Sequence, residues 1–132
     1  MVNANDNDTF PYRVLVIDNQ RSQLKLMKSR LSSYGCTVFT VDSAEEAEQM
    51  LKWGERFSLI ITDLKMPWLN GLQFCKRTKA RYPEIKVCAL SGNLEEFKTD
   101  ELERSGFDSI YEKPISNEGL KQMLANAHKA SP

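Results

Sequence analysis

Histidine is almost missing from this chain: His128 stands alone among 132 residues. A structural zinc site or a Ser-His-Asp triad is therefore excluded as the organising chemistry. Cysteine is scarce as well. Cys36, Cys75 and Cys88 are odd in number and sit in apolar surroundings. They are expected to be reduced core residues of a cytosolic protein rather than a disulfide framework or a metal site. An excess of either charge is also lacking, with 18 Lys+Arg against 18 Asp+Glu. That balance gives no argument for direct nucleic-acid contact or for an acidic partner, although it permits a local basic patch. No apolar run approaches the roughly 18 residues of a membrane span, and no signal-peptide pattern precedes the first strand. The expectation is a cytoplasmic chain without a membrane partner. Internal repeats, low-complexity segments and linkers are absent from the sequence.

What is present suits one domain. A chain of this length buries roughly two-thirds of the surface its unfolded form exposes, which is enough for one core. Residues 1–11 are rich in Asn and Asp and are expected to be flexible. The domain is expected over 12–129, with a short tail at 130–132.

The stretch Ser58-Leu59-Ile60-Ile61-Thr62 is short, apolar and β-branched, which predicts a buried strand. It runs into Asp63, and Pro67 with the Asn70-Gly71 pair then marks a loop. A lone carboxylate at such a place is ordinarily a helix cap or a solvated turn residue. Four further strands are predicted: Arg13 to Asp18, Thr37 to Val41, Lys86 to Ser91, and Ser109 to Lys113. Helical spacing fills the gaps. Leu24, Met27, Leu31 and Tyr34 predict a helix over about 20–34, closed by Gly35. Ser43 and Glu46 have capping-box spacing and open a second helix that Gly54 ends. A third follows Gly71 and stops before Pro83. A fourth, with a thin stripe of Leu94, Phe97 and Leu102, is capped by Asn93 and closed by Gly106. The fifth covers about 117–128, with Leu120, Met123, Leu124 and Ala127 on one face.

Each strand is thus followed by one helix, so the units are β-α repeats of an α/β fold. The strands are too apolar for a sheet with a wet face, so helices cover both sides. Right-handed crossovers in an open sheet predict a single doubly wound, five-stranded parallel sheet in the order 2-1-3-4-5 with five helices. Ligands bind such a sheet at the carboxyl ends of the strands, beside the switch point between strands one and three.

In that order Asp18, Asp63, Ser91 and Lys113 end four neighbouring strands, and their side chains converge. A chance cap explains one of them easily and four poorly. Two adjacent carboxylates repel and call for a cation. Hard oxygen ligands with a hydrated position suit Mg²⁺. A carboxylate can also attack phosphorus to give an acyl phosphate, a transfer that rests on positioning and charge neutralisation. The roles that follow are Asp63 as nucleophile, Asp18 as a holder of Mg²⁺, Lys113 as partner of the phosphoryl oxygens, and the Ser91 hydroxyl as hydrogen-bond donor to one of them.

At these residues the chain resembles the response-regulator receiver domain of two-component signalling, with its chemotaxis-type, flavodoxin-like fold. The resemblance covers about residues 12–129. It is carried by Val16-Ile17-Asp18-Asn19, Asp63-Leu64-Lys65-Met66-Pro67 through Asn70-Gly71, Ala89-Leu90-Ser91-Gly92, and Lys113-Pro114. It implies that Asp63 accepts phosphate from the phosphohistidine of a histidine kinase or phosphotransfer protein. It further implies that Lys65 lends a backbone carbonyl to the metal, that the Lys113-Pro114 bond is cis, and that the switch acts on a downstream protein. Catalysis would then be confined to the chain's own phosphorylation and dephosphorylation.

Two positions depart from the family. The second acid after strand one is replaced by Asn19, whose amide oxygen can coordinate but brings no charge. Weaker Mg²⁺ binding is expected. The switch position three residues before Lys113, normally Tyr or Phe, is Ile110, whose ordinary role is a core residue. Tyr111 is no substitute, because neighbouring strand residues point to opposite faces. Lys65 and Asn93 lie where the family tunes dephosphorylation, and Trp68 in the loop after Asp63 shields the site or docks a partner. The alternatives are an unphosphorylated pseudo-receiver acting as an interaction module, and an enzyme or flavin carrier on the same fold. The second is opposed by Asp18-Asn19-Gln20, which lacks the Asp-x-Asp of haloacid-dehalogenase-type phosphatases. It also lacks a hydroxyl-rich phosphate loop, having only Ser22 there. A DNA-binding helix-turn-helix would need a segment beyond Pro132, so the chain stands alone or belongs to a longer regulator or hybrid kinase.

Overall fold

The computed structural model describes residues 9–65, 71–92, 94–96 and 99–129. Five strands alternate with five helices: β1 (Arg13–Ile17), α1 (Arg21–Ser32), β2 (Thr37–Val41), α2 (Ala44–Lys52), β3 (Leu59–Thr62), α3 (Gly71–Arg81), β4 (Lys86–Ser91), α4 (Thr99–Arg104), β5 (Ser109–Glu112) and α5 (Asn117–Lys129). The sheet is wholly parallel and runs β2-β1-β3-β4-β5, as the apolar strands and short connections predict. Its central registers pair Val14 with Leu59 and Leu59 with Lys86.

Side chains alternate across the sheet and build two cores. Val14, Val16, Leu59, Ile61, Cys88 and Leu90 face one way and pack with the buried stripes of α1 and α5. Leu15, Ile17, Ile60 and Val87 face the other way and meet Ala47 and Leu51 of α2 and Phe74 and Cys75 of α3. Each such Val, Leu or Ile contributes about 1.5–3 kcal/mol of transfer free energy. The two layers therefore hold the strand ends rigidly. The three cysteines are free and buried, as expected. Among the described residues, no helix is long and apolar enough to cross a membrane.

Local signals mostly act where the sequence places them. The Ser43 hydroxyl accepts the Glu46 N–H at 3.1 Å and caps α2. Gly54 closes that helix with φ +98°, a conformation costly for any residue bearing a Cβ. Asn93, expected to cap the fourth helix, lies outside the described residues. A 3-10 turn at Leu94–Glu96 precedes a short α4 that begins at Thr99, because the stripe there is too thin to anchor a long helix. Of the stretch expected to be flexible through residue 11, residues 1–8 lie outside the described residues, and contacts are described only near its end. Phe10 donates its N–H to Tyr34 O at 2.7 Å and packs its ring against Tyr12 and Tyr34. Ile110 is half-buried rather than a core residue, since β5 lies at the edge of the sheet and pairs only with β4.

Candidate functional site

The strand ends meet at the carboxyl edge of the sheet. Ser91 is the last residue of β4, whereas Asp18, Asp63 and Lys113 each lie one residue beyond their strands rather than at the last position. Their backbones nevertheless stay in the sheet. Asp18 N–H donates to Val41 O at 3.2 Å, Asp63 N–H to Ile17 O at 3.1 Å, and Lys113 N–H to Ser91 O at 2.9 Å. The main chain is thus fixed at each point while the side chain leaves the pleat.

The two aspartate side chains converge on one ammonium. Lys113 Nζ donates to Asp18 Oδ2 at 2.8 Å and to Asp63 Oδ2 at 3.3 Å. The Asp18 side chain is only 7 % exposed and that of Asp63 15 %, so two carboxylates sit largely out of water against one cation. Buried charge is tolerated only when paired and hydrogen-bonded. Lys113 supplies the pairing. Burial works against its charge as the largest single influence. The hydrogen bond to Asp18, the charges of Asp63 and Asp18, and the hydrogen bond to Asp63 together outweigh it, and the ammonium pKa is raised above the ordinary 10.5. The Lys113-Pro114 peptide is cis, as the resemblance implies.

The second oxygen of each carboxylate is held by backbone. Asp18 Oδ1 accepts the Gln20 N–H at 2.9 Å, and Asp63 Oδ1 accepts the Lys65 N–H at 3.3 Å. Ser91 is fully buried beside Lys113, on the strand face that Ile110 also shares through the Ala89–Ile110 and Ser91–Glu112 pairs. Asn19 is exposed and lines a cleft of about 400 Å³ with Arg21, Lys28 and Asp42. Lys65 is exposed. Trp68, Pro67, Asn70 and Asn93 lie outside the described residues.

Two contacts have no counterpart in the sequence reading. The Thr62 hydroxyl donates to the Asp63 carbonyl at 2.9 Å. Gly71, the first residue of α3, lies directly on the Asp63-Leu64 peptide and donates its N–H to Leu64 O at 3.0 Å. Neither could be read from strand patterning: the Thr62 bond depends on the side-chain rotamer, and the Gly71 contact on how α3 returns to the sheet.

Among the described residues, no group of three or more Asp, Glu, His or Cys forms a metal cluster. The donors the structure does bring together are the two carboxylates of Asp18 and Asp63. That set fits a hard dication that keeps several waters, such as Mg²⁺, and does not fit zinc.

Comparison with known proteins gives a consistent picture. The profile of the response regulator receiver domain matches residues 14–125. Virulence sensor protein BvgS of Bordetella bronchiseptica is 34% identical over 124 residues, which span 87% of this chain and 10% of that protein. Autoinducer 1 sensor kinase/phosphatase LuxN of Vibrio harveyi is 29% identical over 113 residues, spanning 86% of this chain and 13% of that protein. The chain therefore spans only about a tenth of the length of these curated relatives. Among solved structures, a response regulator receiver domain protein from Clostridium thermocellum superposes with a TM-score of 0.81 at 26% identity, covering 89% of this chain and 94% of that one. The chemotaxis response regulator CheY4 of Vibrio cholerae gives 0.78 at 25% identity, covering 89% and 98%.

Proposed function

The chain belongs to the response-regulator receiver domain family, and on that footing we propose that it is a phosphoacceptor switch that takes a phosphoryl group onto Asp63. The observation that carries this reading is the position of Lys113, whose ammonium touches both Asp18 and Asp63. A cation shared by two nearly buried carboxylates is the arrangement that a dianionic phosphoryl group needs beside its acceptor.

In the transfer, an Asp63 carboxylate oxygen forms a bond to phosphorus while the bond from phosphorus to the donor breaks. The electron pair of that bond leaves with the donor group, a histidine imidazole. Asp63 is held for this attack by Lys65 N–H on Oδ1 and by the ladder bond from its own N–H. Lys113, already 3.3 Å from Asp63, is in reach of oxygens on a phosphoryl group bound there. The Ser91 hydroxyl, buried at the end of β4, is the donor proposed for a phosphoryl oxygen. Asp18 and Asp63, with the Lys65 carbonyl and the Asn19 amide, are the residues that would hold Mg²⁺. Bound there, the ion would neutralise charge on the transferring group. Hydrolysis of the acyl phosphate resets the acceptor, so the chain's chemistry is confined to itself.

The phosphodonor proposed is a histidine kinase or a phosphotransfer protein, and the compartment proposed is the cytoplasm. The product would switch a contact with a downstream protein. Incubation with acetyl phosphate and Mg²⁺ followed by intact-mass spectrometry tests the reading. A phosphoryl adduct present in the wild type and lost in Asp63→Asn supports it. A second reading, an unphosphorylated interaction module, is favoured by Asn19 at the acid position and Ile110 at the switch position. No adduct under those conditions would decide for it.

A further inference from the structure

We propose that Thr62 and Gly71 are positioning residues for Asp63: together they grip its main-chain carbonyl and so aim its carboxylate at Lys113. Only the effect on phosphorylation rate rests on the phosphoacceptor reading. The clamp itself is a statement about geometry.

Asp63 has just left β3, and its N–H is still bonded to Ile17 O at 3.1 Å. That fixes one side of the residue. The other side is the Asp63-Leu64 peptide, which no strand pairing holds. The Thr62 hydroxyl, fully buried, donates to the Asp63 carbonyl at 2.9 Å. Gly71 reaches the same peptide from α3. A Cβ placed on Gly71 would stand far inside contact distance of the Asp63 carbonyl oxygen, 2.9 Å from Leu64 Cα and 3.2 Å from the Asp63 carbonyl carbon. All three atoms are backbone, so no flexible side chain can give way. Glycine is needed here for space.

The grip matters because both carboxylate oxygens are placed relative to this peptide. Lys65 N–H, one residue on, donates to Asp63 Oδ1 at 3.3 Å. Lys113 Nζ donates to Oδ2 at the same distance. A shift of the peptide would disturb both bonds together. Misplacing a reacting group by about 1 Å costs on the order of 100-fold in rate.

The test compares the wild type with Gly71→Ala, Thr62→Val, Thr62→Ser and Gly54→Ala. Gly54→Ala is the control for lost stability, since its φ of +98° strains any side chain while nothing lies within 4 Å of the added Cβ. Two readouts are taken: the Lys65 amide resonance in a ¹⁵N–¹H spectrum, and the phosphorylation rate at saturating acetyl phosphate with Mg²⁺. Gly71→Ala and Thr62→Val are expected to shift the Lys65 amide and to slow phosphorylation about 10–100-fold. Thr62→Ser, which keeps the hydroxyl, and Gly54→Ala are expected to keep both readouts at the wild-type level. Variants at 71 and 62 that lie no further from wild type than Gly54→Ala overturn the proposal. Thr62→Val, a near-isosteric change in a buried strand, decides the matter if Gly71→Ala fails to fold. If the wild type itself takes no phosphoryl group, the phosphoacceptor reading falls, and the Lys65 amide alone decides: a shift supports the clamp and its absence overturns it.

Discussion

Lys113 Nζ lies 2.8 Å from Asp18 Oδ2 although 95 residues of chain separate the two. That bond joins the first strand to the last and runs across the edge where Asp63 waits, so one lysine both closes the fold and charges the site.

Removing it should therefore cost stability. Lys113→Ala leaves Asp18 and Asp63 facing one another with little water and no cation. The side chains are not fully buried, so the loss falls below that of a deeply buried pair, at about 1–3 kcal/mol. Urea unfolding at neutral pH would measure it. Millimolar Mg²⁺ should restore part of the loss by supplying the missing charge, and an unchanged midpoint in Lys113→Ala would refute the pairing.

The same bond predicts a pH dependence of definite sign. Lys113 has a raised pKa in the folded chain: burial lowers it, and the two aspartates more than compensate. A cation whose folded pKa exceeds its unfolded value binds its proton more tightly when folded. Its stabilisation is complete below the ordinary lysine value of 10.5 and fades as pH rises through the higher folded value. The stability difference between wild type and Lys113→Ala should thus stay flat from neutral pH to about pH 10 and shrink above it. Denaturation midpoints collected across that range would show it, and a difference that grows in alkali would contradict the assignment.

Much of this was legible in the sequence, for identifiable reasons. Asp18 and Asp63 follow apolar runs and Lys113 follows the short strand Ser109–Glu112, and a doubly wound sheet brings such positions together whatever their separation. Their slip of one residue past the strands is the usual softness of element ends, and each keeps its ladder bond. Ile110 misled because apolar composition predicts burial, whereas β5 is an edge strand with one neighbour and leaves both Ile110 and Tyr111 only half-buried. The fourth helix has only the thin stripe of Leu94, Phe97 and Leu102 to mark it, and α4 begins at Thr99. Thr62 looked like one more β-branched strand residue, and Gly71 like a loop marker. The Gly71 contact with the Asp63 peptide exists only after α3 packs, and the Thr62 hydroxyl bond rests on a rotamer that local pattern does not specify.

The cysteines offer a check on the two cores. Burial pushes the Cys36 thiol up to about 11, that of Cys75 to about 12 and that of Cys88 to about 11. The thiolate is the reactive form, so at pH 8 the folded chain should resist iodoacetamide at all three positions. In denaturant all three should alkylate fully. Peptide mass mapping would distinguish them, and rapid native labelling of Cys75 would argue against the α3 packing described.

The last prediction concerns Asn19, where a neutral amide stands beside Asp18. Affinity of an oxygen site for a divalent cation rises with the number of charged ligands. Asn19→Asp should therefore tighten Mg²⁺ binding on the order of tenfold, measured by titration calorimetry. The added charge must act twice. In metal-free protein it puts a second carboxylate next to Asp18 in the chain, with Arg21 and Lys28 of the same cleft softening the repulsion, so the variant should unfold at slightly lower urea than the wild type. Exposure of residue 19 keeps that penalty small. Adding Mg²⁺ should reverse the order of the two midpoints, because ligand binding stabilises the tighter binder more at equal concentration. An affinity that stays put, with midpoints that do not cross, would place residue 19 outside the cation's reach.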